Sequence, residues 1–460
     1  MLRSLTRPHI AVMSAVRPAN ESTIDPMPPT GEEKRARSPR ATAAMSGHFD
    51  TLTAARQVAE SLATTLFAPC DLLLLFGSFH HRAALGDAAT IIRERLDGPI
   101  ALGVTAESVI ANATELEGVS GISALALSLP GVGIHSFRIS QRDLSPSPTP
   151  RLPPGLAAGM VPSLPSQLAP SLAWLNEPDA PRRARELFGV TADHRATILF
   201  ADPFTMPMDA LLRALGPTEG FPAVNVIGGF ASGAGAPSNN VLLLDDLADD
   251  AGAIGVSLSG PVRIDPLVSQ GCRPIGSPVI VTRRVHNTIF ELGGRPALEV
   301  VEEMASRLPE SERALLGKGV MLGLVVNEYK ARFGRGDFLI RTIVQGDRKS
   351  GTITLNDEPR VGQTVQFHVR DQRIADEDLR LLLDAEELDT PPLAVMLFAC
   401  NGRGTRLFDE ANHDAALIHR RLNEAPTAGF FAAGEFGPIG GRSALHGQTL
   451  VAGIVRAEQS

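Results

Sequence analysis

Cysteine is scarce in this chain of 460 residues, which contains only Cys70, Cys272 and Cys400. The three lie far apart and show no C-x-x-C spacing, so neither a disulfide framework nor a zinc cage can be drawn from them. Cysteine use of this kind is typical of a reducing compartment, and we therefore expect a cytoplasmic protein.

Tryptophan and tyrosine are also scarce, and an excess of positive charge and long apolar runs are missing. The chain has one Trp and one Tyr, and its 43 basic against 51 acidic side chains leave a formal charge of −8. A nucleic-acid binder needs a basic face and aromatic stacking platforms, so we expect no nucleic-acid partner. The longest apolar stretches, residues 72–76 and 320–326, are far shorter than the roughly 18 residues that span a bilayer, so we expect no membrane association.

The composition that remains is that of a folded protein with two unusual segments. A hydrophobic fraction of 43% is enough for buried cores in two or three domains. Residues 1–46 are rich in arginine and proline, and we expect them to form a disordered N-terminal extension. Residues 145–185 carry ten prolines, which interrupt helix and sheet, while Trp174 and several leucines indicate a strap packed on the body.

An internal repetition is the most informative feature of the sequence. An apolar strand, a helix and a second strand ending near glycine follow one another three times. The predicted strands are 71–76 and 100–105, then 197–201 and 224–229, then 393–398 and 428–432. Trailing strands complete each copy. The pattern predicts an α/β fold of repeated β-α-β-β units that form layered sheets flanked by helices.

The polar bends that follow these strands are candidates for ligand contacts. Parallel strands end at the same edge of a sheet, and ligands prefer that edge. Ser78 follows the first strand of copy one, and Gly228 and Gly434 follow return strands. The alternative is that these glycines only permit turns or tight packing.

Between copies two and three the pattern changes. Residues 278–282, 338–344, 351–355 and 363–369 alternate between apolar and polar side chains, which predicts an antiparallel meander in the C-terminal half. Residues 376–388 then predict an amphipathic helix.

Several short blocks together resemble the FIST family (F-box and intracellular signal transduction). The C-terminal signature is carried by residues 400–404, 429–438 and 445–449. Further blocks similar to the family are residues 74–81, 270–276, 329–337 and 365–371. The resemblance covers most of the chain after residue 47.

The resemblance implies a stand-alone pair of domains, a FIST N-terminal domain over 47–265 and a FIST C-terminal domain over 266–460. It implies an intracellular sensor of small ligands, with amino acids as the ligand class, acting in signal transduction. No kinase, receptor or cyclase segment is left after both domains are placed, so we expect a separate signalling protein as the output partner.

The third bend suggests how an amino acid would bind. Arg403 lies in a glycine-flanked turn and can take a carboxylate, while Glu435 at the matching edge can take an ammonium group. The alternative is a structural Arg403–Glu435 ion pair. The predicted ligand-binding residues are Ser78, Gly228, Cys400, Asn401, Gly402, Arg403, Gly404, Gly434, Glu435 and His446.

Two other readings of the same residues remain open. Cys400 and His446 can be written as the nucleophile and base of a hydrolase or transferase, with Glu435 orienting the histidine. A cysteine at the end of an apolar strand is usually buried and inert, so we assign no catalytic residue and expect a non-catalytic protein. The other reading is a protein-interaction scaffold that uses the proline-rich strap. No ligand spacing supports a metal, and no glycine motif supports a nucleotide, so we predict no cofactor.

Overall fold

A computed structural model gives the fold of residues 38–140, 173–317, 319–334 and 336–458. Helices and strands are mixed throughout these ranges, which confirms the α/β class. Residues 1–37 of the predicted extension and 145–172 of the predicted strap lie outside the described residues. No helix in the described part of the chain is both long and apolar enough to cross a membrane.

The described strands form four sheets, three of which have six strands each. The first sheet contains, in spatial order, β1 (Arg40–Ser46), β6 (Ile122–Ser128), β2 (Leu72–Ser78), β3 (Ile100–Ala106), β10 (Leu242–Leu244) and β11 (Leu247–Asp249). The second contains β7 (Gly133–Ile139), β12 (Ala253–Ser259), β8 (His194–Ala201), β9 (Val226–Phe230), β23 (Glu435–Ile439) and β24 (Arg442–His446). The third contains β13 (Val262–Gln270), β25 (Thr449–Ala457), β21 (Ala394–Cys400), β22 (Thr427–Ala432), β4 (Val109–Ala111) and β5 (Thr114–Leu116).

The three sheets share one pairing plan. The central strands β2, β8 and β21 each pair in parallel with the strand that follows the next helix, which is β3, β9 or β22. On the other side each central strand pairs antiparallel with β6, β12 or β25. A crossover helix between the two parallel strands accounts for the long connection that such a pairing requires.

Each sheet is completed by a hairpin from a different part of the chain. The β10–β11 hairpin follows β9 but joins β3 in the first sheet, and the β23–β24 hairpin follows β22 but joins β9 in the second. The β4–β5 hairpin follows β3 but joins β22 in the third sheet. The sheets are therefore interlocked. The expected domain boundary after residue 265 falls inside β13, and hairpins cross it in both directions.

One apolar core lies between the three sheets. The rings of Phe76, Phe200 and Phe398, each close to the end of its central strand, lie with centroids 5.6 to 6.4 Å apart. Phe430 of β22 contacts all three rings. Edge-to-face contacts of this kind add to the gain from burying the rings. The shared core holds the ends of the central strands together.

Helices cover the outer faces of the sheets. The pairs are α1 (Thr51–Leu66) with α2 (Leu85–Arg95), α3 (Ala180–Leu187) with α4 (Met208–Ala214), and α7 (Gln372–Glu386) with α8 (His413–Arg421). The apolar periodicity that predicts a helix over residues 376–388 marks the face that α7 buries, where Leu379 and Leu383 are fully buried. Trp174, in the described end of the strap, is fully buried in the core under α3 and α4.

The fourth sheet is an antiparallel barrel. Its strands are, in order, β14 (Cys272–Val285), β20 (Thr364–Arg370), β17 (Val320–Val325), β18 (Phe338–Asp347), β19 (Thr352–Leu355), β15 (Thr288–Leu292) and β16 (Arg295–Pro296). Because β14 pairs with both β20 and β15, the sheet closes. The expected meander is thus a barrel, with its own apolar core and with α5 (Ala297–Arg307) and α6 (Glu310–Leu316) packed on it.

The expectation of disorder over residues 1–46 is wrong for β1. This strand pairs with β6 along its whole length, and Ala41, Ala43 and Met45 pack on the central core. On its other face, Ala44 is buried under α1. This short strand of small residues is stabilised by packing between these two layers. Its alternation of inward and outward side chains was not recognised because basic and proline-rich residues surround it.

Candidate functional site

The polar bends after the three central strands lie at one end of the molecule. Register places Ser78 opposite Ala106 and Cys400 opposite Ala432, so each central strand ends beside its return strand. The ends of the return strands are joined by hydrogen bonds. The N–H groups of Phe230, Phe431 and Gly233 donate to the carbonyls of Gly434, Ser108 and Thr105, respectively. The tertiary structure thus brings three chemically different bends together.

The first two bends use their polar groups within the protein. Ser78 Oγ accepts a hydrogen bond from the Gly121 N–H at 3.0 Å. In the second bend, Asp202 accepts bonds from the Phe204 N–H, the Thr205 hydroxyl and Asn240 Nδ2 at 2.8 to 3.1 Å. Buried polar groups that are satisfied in this way hold a turn in place and have little left to offer a ligand.

The third bend contains a buried ion pair. Arg403 Nε and Nη2 donate to the two carboxylate oxygens of Asp414, at 2.6 and 2.9 Å, and both side chains are only 1% exposed. Burial alone would raise the pKa of Asp414, but Arg403 and His413 together lower it to about 2. The partner of Arg403 is therefore Asp414, and the alternative of a structural Arg403–Glu435 ion pair is wrong.

Around this pair, several buried polar atoms have no hydrogen-bond partner. They are Asn401 Oδ1, Arg403 Nη1, both carboxyl oxygens of Glu435, and Gln448 Oε1. We call Asn401, Arg403, Glu435 and Gln448 the polar cluster. Leaving one such group unsatisfied costs about 1–3 kcal/mol. Five unsatisfied atoms in one place therefore indicate a site for a polar ligand or ordered water.

Two glycines bring the members of the polar cluster close to one another. A Cβ on Gly402 would lie 2.6 Å from Gln448 Oε1, and a Cβ on Gly271 would lie 3.3 Å from Arg403 Nη1. Arg370 Nη2 donates to the carbonyl of Gly402 and holds the turn from outside. Side chains at residues 271 and 402 would fill the space beside the unsatisfied atoms, so glycine is required there for packing.

Glu435 is the member of the polar cluster with the most unusual electrostatics. It is fully buried, and this burial raises the pKa of its carboxyl well above the usual value. The Thr449 N–H, the Cys400 thiol and the positive charge of Arg403 offset the increase in part. Because burial disfavours the charged form and neither oxygen accepts a well-formed hydrogen bond, the carboxyl favours its protonated form when no cation compensates its charge.

Cys400 and His446 do not have the properties of a catalytic pair. Burial, and secondarily the nearby Glu435, raise the pKa of the Cys400 thiol to about 12, so the reactive thiolate is absent at neutral pH. Burial lowers the pKa of His446 to about 4, and its Nε2 donates to the Gly437 carbonyl at 3.0 Å. No hydrogen bond joins the two side chains. These observations argue against the hydrolase alternative.

The remaining predicted residues have structural contacts. At Gly228, φ is +144° and a Cβ would lie 1.9 Å from the Leu199 carbonyl oxygen, so this glycine is needed for strand packing. Gly434 accepts the bond from Phe230 described above. Gly404 has a φ of +58° and places the next N–H, of Thr405, 3.0 Å from both carboxylate oxygens of Glu117.

The sequence analysis missed Asp414, Gln448 and Gly271. One signal was available for Asp414: a buried arginine needs a carboxylate, and Asp414 opens the helix that follows the bend. Gln448 and Gly271 were parts of the blocks 445–449 and 270–276 but were not singled out as site residues. Gly271 lies more than a hundred residues before the bend, and nothing in the sequence connects the two.

A narrow cleft lies next to the polar cluster. Among the residues that line it are Gln270, Cys272, Phe338, His368 and Asp378. Gln270 and Cys272 flank Gly271, where a Cβ would lie 3.3 Å from Arg403 Nη1, so the cleft lies near the Arg403 side chain. The same residues contain no group of three or more His, Cys, Asp or Glu arranged to hold a metal ion.

Comparison with known proteins gives consistent results. Residues 71–295 match the FIST N domain, and residues 297–438 match the FIST C domain. The chain is 37% identical to "Uncharacterized protein Mb0898c" of Mycobacterium bovis over 381 residues, which is 82% of this chain and 89% of that protein. It is 43% identical to "Uncharacterized protein Rv0628c" of Mycobacterium tuberculosis over 258 residues, or 56% of this chain and 67% of that protein. The match to the FIST N domain ends at residue 295, and the match to the FIST C domain begins at residue 297.

Proposed function

The chain belongs to the FIST family as a paired FIST N and FIST C protein, and we propose that it is a small-ligand sensor whose ligand binds at the polar cluster. FIST domains are associated with sensory signal transduction and small-ligand binding. The single observation that carries the proposal is the concentration of unsatisfied buried atoms at Asn401, Arg403, Glu435 and Gln448.

The comparison between the three bends supports this choice of site. The bends follow equivalent strands and lie at the same end of the molecule, yet the Ser78 hydroxyl and the Asp202 carboxylate are satisfied internally, and the first bend leaves one buried atom, His81 Nε2, without a partner. Five such atoms lie around the third bend, and this concentration favours it as the ligand site. We therefore propose one ligand site, at the bend after β21.

Amino acids are the ligand class that we propose. Arg403 Nη1 is a donor for one acceptor group of the ligand, and the oxygens of Glu435 and Gln448 are acceptors for an ammonium group. The signal is proposed to pass to a separate protein, with the chain located in the cytoplasm. An enzymatic role at Cys400 is not favoured by any observation, and the scaffold alternative rests on a strap that is mostly outside the described residues.

Native mass spectrometry of protein purified from its host, together with calorimetry against the amino acids, tests the proposal. We expect a bound metabolite, and a ligand at 100 times its Kd should add about 2.7 kcal/mol to the free energy of unfolding. Gln448→Ala removes one acceptor of the polar cluster and should weaken binding at least tenfold.

Ser78→Ala is the matched control, because it changes the equivalent bend of the first sheet without touching the polar cluster. We expect its ligand affinity to equal that of the unmodified protein. Equal affinities for Gln448→Ala and the unmodified protein, or a loss of binding in Ser78→Ala with the fold intact, would place the ligand elsewhere.

A further inference from the structure

Among the buried atoms of the polar cluster that have no hydrogen-bond partner, acceptors outnumber donors. Asp414 already takes two N–H groups of Arg403, so only Nη1 remains for a ligand. Against this one donor stand four acceptor oxygens: two on Glu435 and one each on Asn401 and Gln448. A ligand that satisfies this set must bring several N–H donors and needs only one acceptor. A primary ammonium group has three N–H donors on one atom.

The charges in the polar cluster also favour a ligand that carries an ammonium group. The positive charge of Arg403 is balanced by Asp414 at contact distance, so a ligand carboxylate would meet no uncompensated cation there. Glu435 is the acidic group of the cluster that lacks a contact partner. A buried ionised carboxylate is stable only when a cation is paired with it.

We propose that the polar cluster recognises the primary ammonium group of its ligand at Glu435, an inference that rests on the proposed function. The ammonium group binds in exchange for the proton that the Glu435 carboxyl carries when no ligand is bound. On binding, the carboxyl O–H bond breaks, its proton leaves to solvent, and the ammonium group takes its place as an ion pair. No covalent bond to the ligand forms. The ligand class is then small primary amines with one acceptor group, of which amino acids are a subset.

The other groups that face Glu435 do not change their protonation state near pH 7. The Cys400 thiol and the His446 ring, opposite Glu435 in the β23–β24 pair, are both neutral at pH 7, with pKa values of about 12 and about 4. Arg403 is paired with Asp414, and Arg370 donates to a backbone carbonyl. β9 and β25, the other packed strands, bring Gly229 and Thr449, which do not titrate.

Glu115 is a second buried acid near this network and must be separated experimentally. Its Oε1 accepts a bond from the Ala415 N–H at 2.9 Å, and burial, with Asp414 and Glu117 adding to it, raises its pKa to about 7. Glu115→Gln keeps the acceptor for Ala415 and removes the titration, which makes it the matched control.

Three two-carbon probes distinguish recognition of the ammonium group from recognition of the carboxylate. Glycine carries both groups, ethanolamine keeps the ammonium group and has a hydroxyl as its acceptor, and glycolate keeps the carboxylate but has no ammonium group. Calorimetry at pH 7 in phosphate and in MOPS, which contains no primary amine and differs from phosphate in ionisation enthalpy, reports how many protons are released per ligand.

We expect glycine and ethanolamine to bind within tenfold of each other, glycolate to bind at least tenfold more weakly, and close to one proton to be released. Glu435→Gln should abolish proton release and weaken both amines at least tenfold, whereas Glu115→Gln should keep the release. Glycolate binding as tightly as glycine, or amine binding without proton release, would overturn the inference.

The two proposals fail in different ways. A bound host metabolite that has no amine, and whose binding is lost in Gln448→Ala, would overturn the ammonium inference but leave ligand sensing at the polar cluster intact. No bound metabolite and no binding of any probe, by protein that melts cooperatively, would overturn both.

Discussion

Arg403 and Asp414 form a two-bond ion pair in the interior of the third bend, with Nε–Oδ2 and Nη2–Oδ1 distances of 2.6 and 2.9 Å. The pair ties the bend after β21 to the first turn of α8. It holds the guanidinium so that only Nη1 faces the other residues of the polar cluster. Asp414 is thus a positioning residue for the arginine.

Removing one partner of this pair should be far more costly than removing both. Arg403→Ala leaves the buried Asp414 carboxylate without its arginine partner, and we expect the free energy of unfolding to fall by about 3–5 kcal/mol. The double variant Arg403→Ala/Asp414→Ala should lose less than the sum of the two single changes. Urea unfolding measures all three, and additive losses would show that the two side chains are not coupled.

Glu435 should make the protein less stable as the pH rises. Its folded pKa lies well above the ordinary 4.5, so between the two values the folded state binds more protons than the unfolded state. The free energy of unfolding then falls with increasing pH above about 4.5. Glu435→Gln should remove this contribution, so that its stability exceeds that of the unmodified protein by a margin that grows with pH.

Urea unfolding of both proteins at a series of pH values from 4 to 8, without ligand, measures this margin. The exposed Glu60→Gln on α1 is the control, because it removes a carboxylate outside the core. A margin for Glu435→Gln that stays constant across the series would contradict the prediction.

The cysteines should be inert in the folded protein. Cys70, Cys272 and Cys400 are buried, and burial raises each thiol pKa to about 12. We expect no labelling by iodoacetamide at pH 7.5 within an hour, and labelling of all three in urea, as measured by mass spectrometry. Rapid labelling of Cys400 alone in the native protein would restore the nucleophile hypothesis.

Gly228 should be required for folding and not for ligand recognition. In Gly228→Ala, the new Cβ would meet the Leu199 carbonyl oxygen in a backbone conformation that other residues rarely adopt. We expect a loss of about 3 kcal/mol or more from strain and overpacking combined. Gly118→Ala is the control, since its φ is +65° but its Cβ meets nothing within 4 Å, so it should cost only about 1–2 kcal/mol.

Melting curves of the two alanine variants measure this difference. Equal destabilisation by the two changes would mean that contact with Leu199 is not what requires the glycine.

Local patterns of apolar and polar residues in the sequence predicted most of the buried strands and amphipathic helices. The continuous apolar runs of β2, β8 and β21 and the 3.6-residue periodicity of α7 depend on near neighbours in the chain, and these elements were found close to their predicted ranges. β1 was missed because its alternation of small residues is weak until α1 and β6 cover it.

The candidate site was predicted only in part. The run from Cys400 to Arg403 follows an apolar strand, and Glu435 follows its return strand, so parallel pairing brings both to one end. Ser78 and Gly228 lie at equivalent or neighbouring bends, but their contacts are satisfied within the fold. Asp414 decides which N–H of Arg403 is free, and this depends on a contact that no spacing rule contains.

The amino-acid sequence by itself determined the α/β class, the strands whose ends carry polar bends, and the likeness to FIST proteins, because hydrophobic periodicity and short motifs are local properties. Only the tertiary structure decided that three hairpins are exchanged between sheets, that the meander closes into a barrel, and that five buried polar atoms around the third bend are left without a partner. Those outcomes depend on which distant groups meet, and the pairing of a buried donor or charge is set by three-dimensional contact and not by position along the chain.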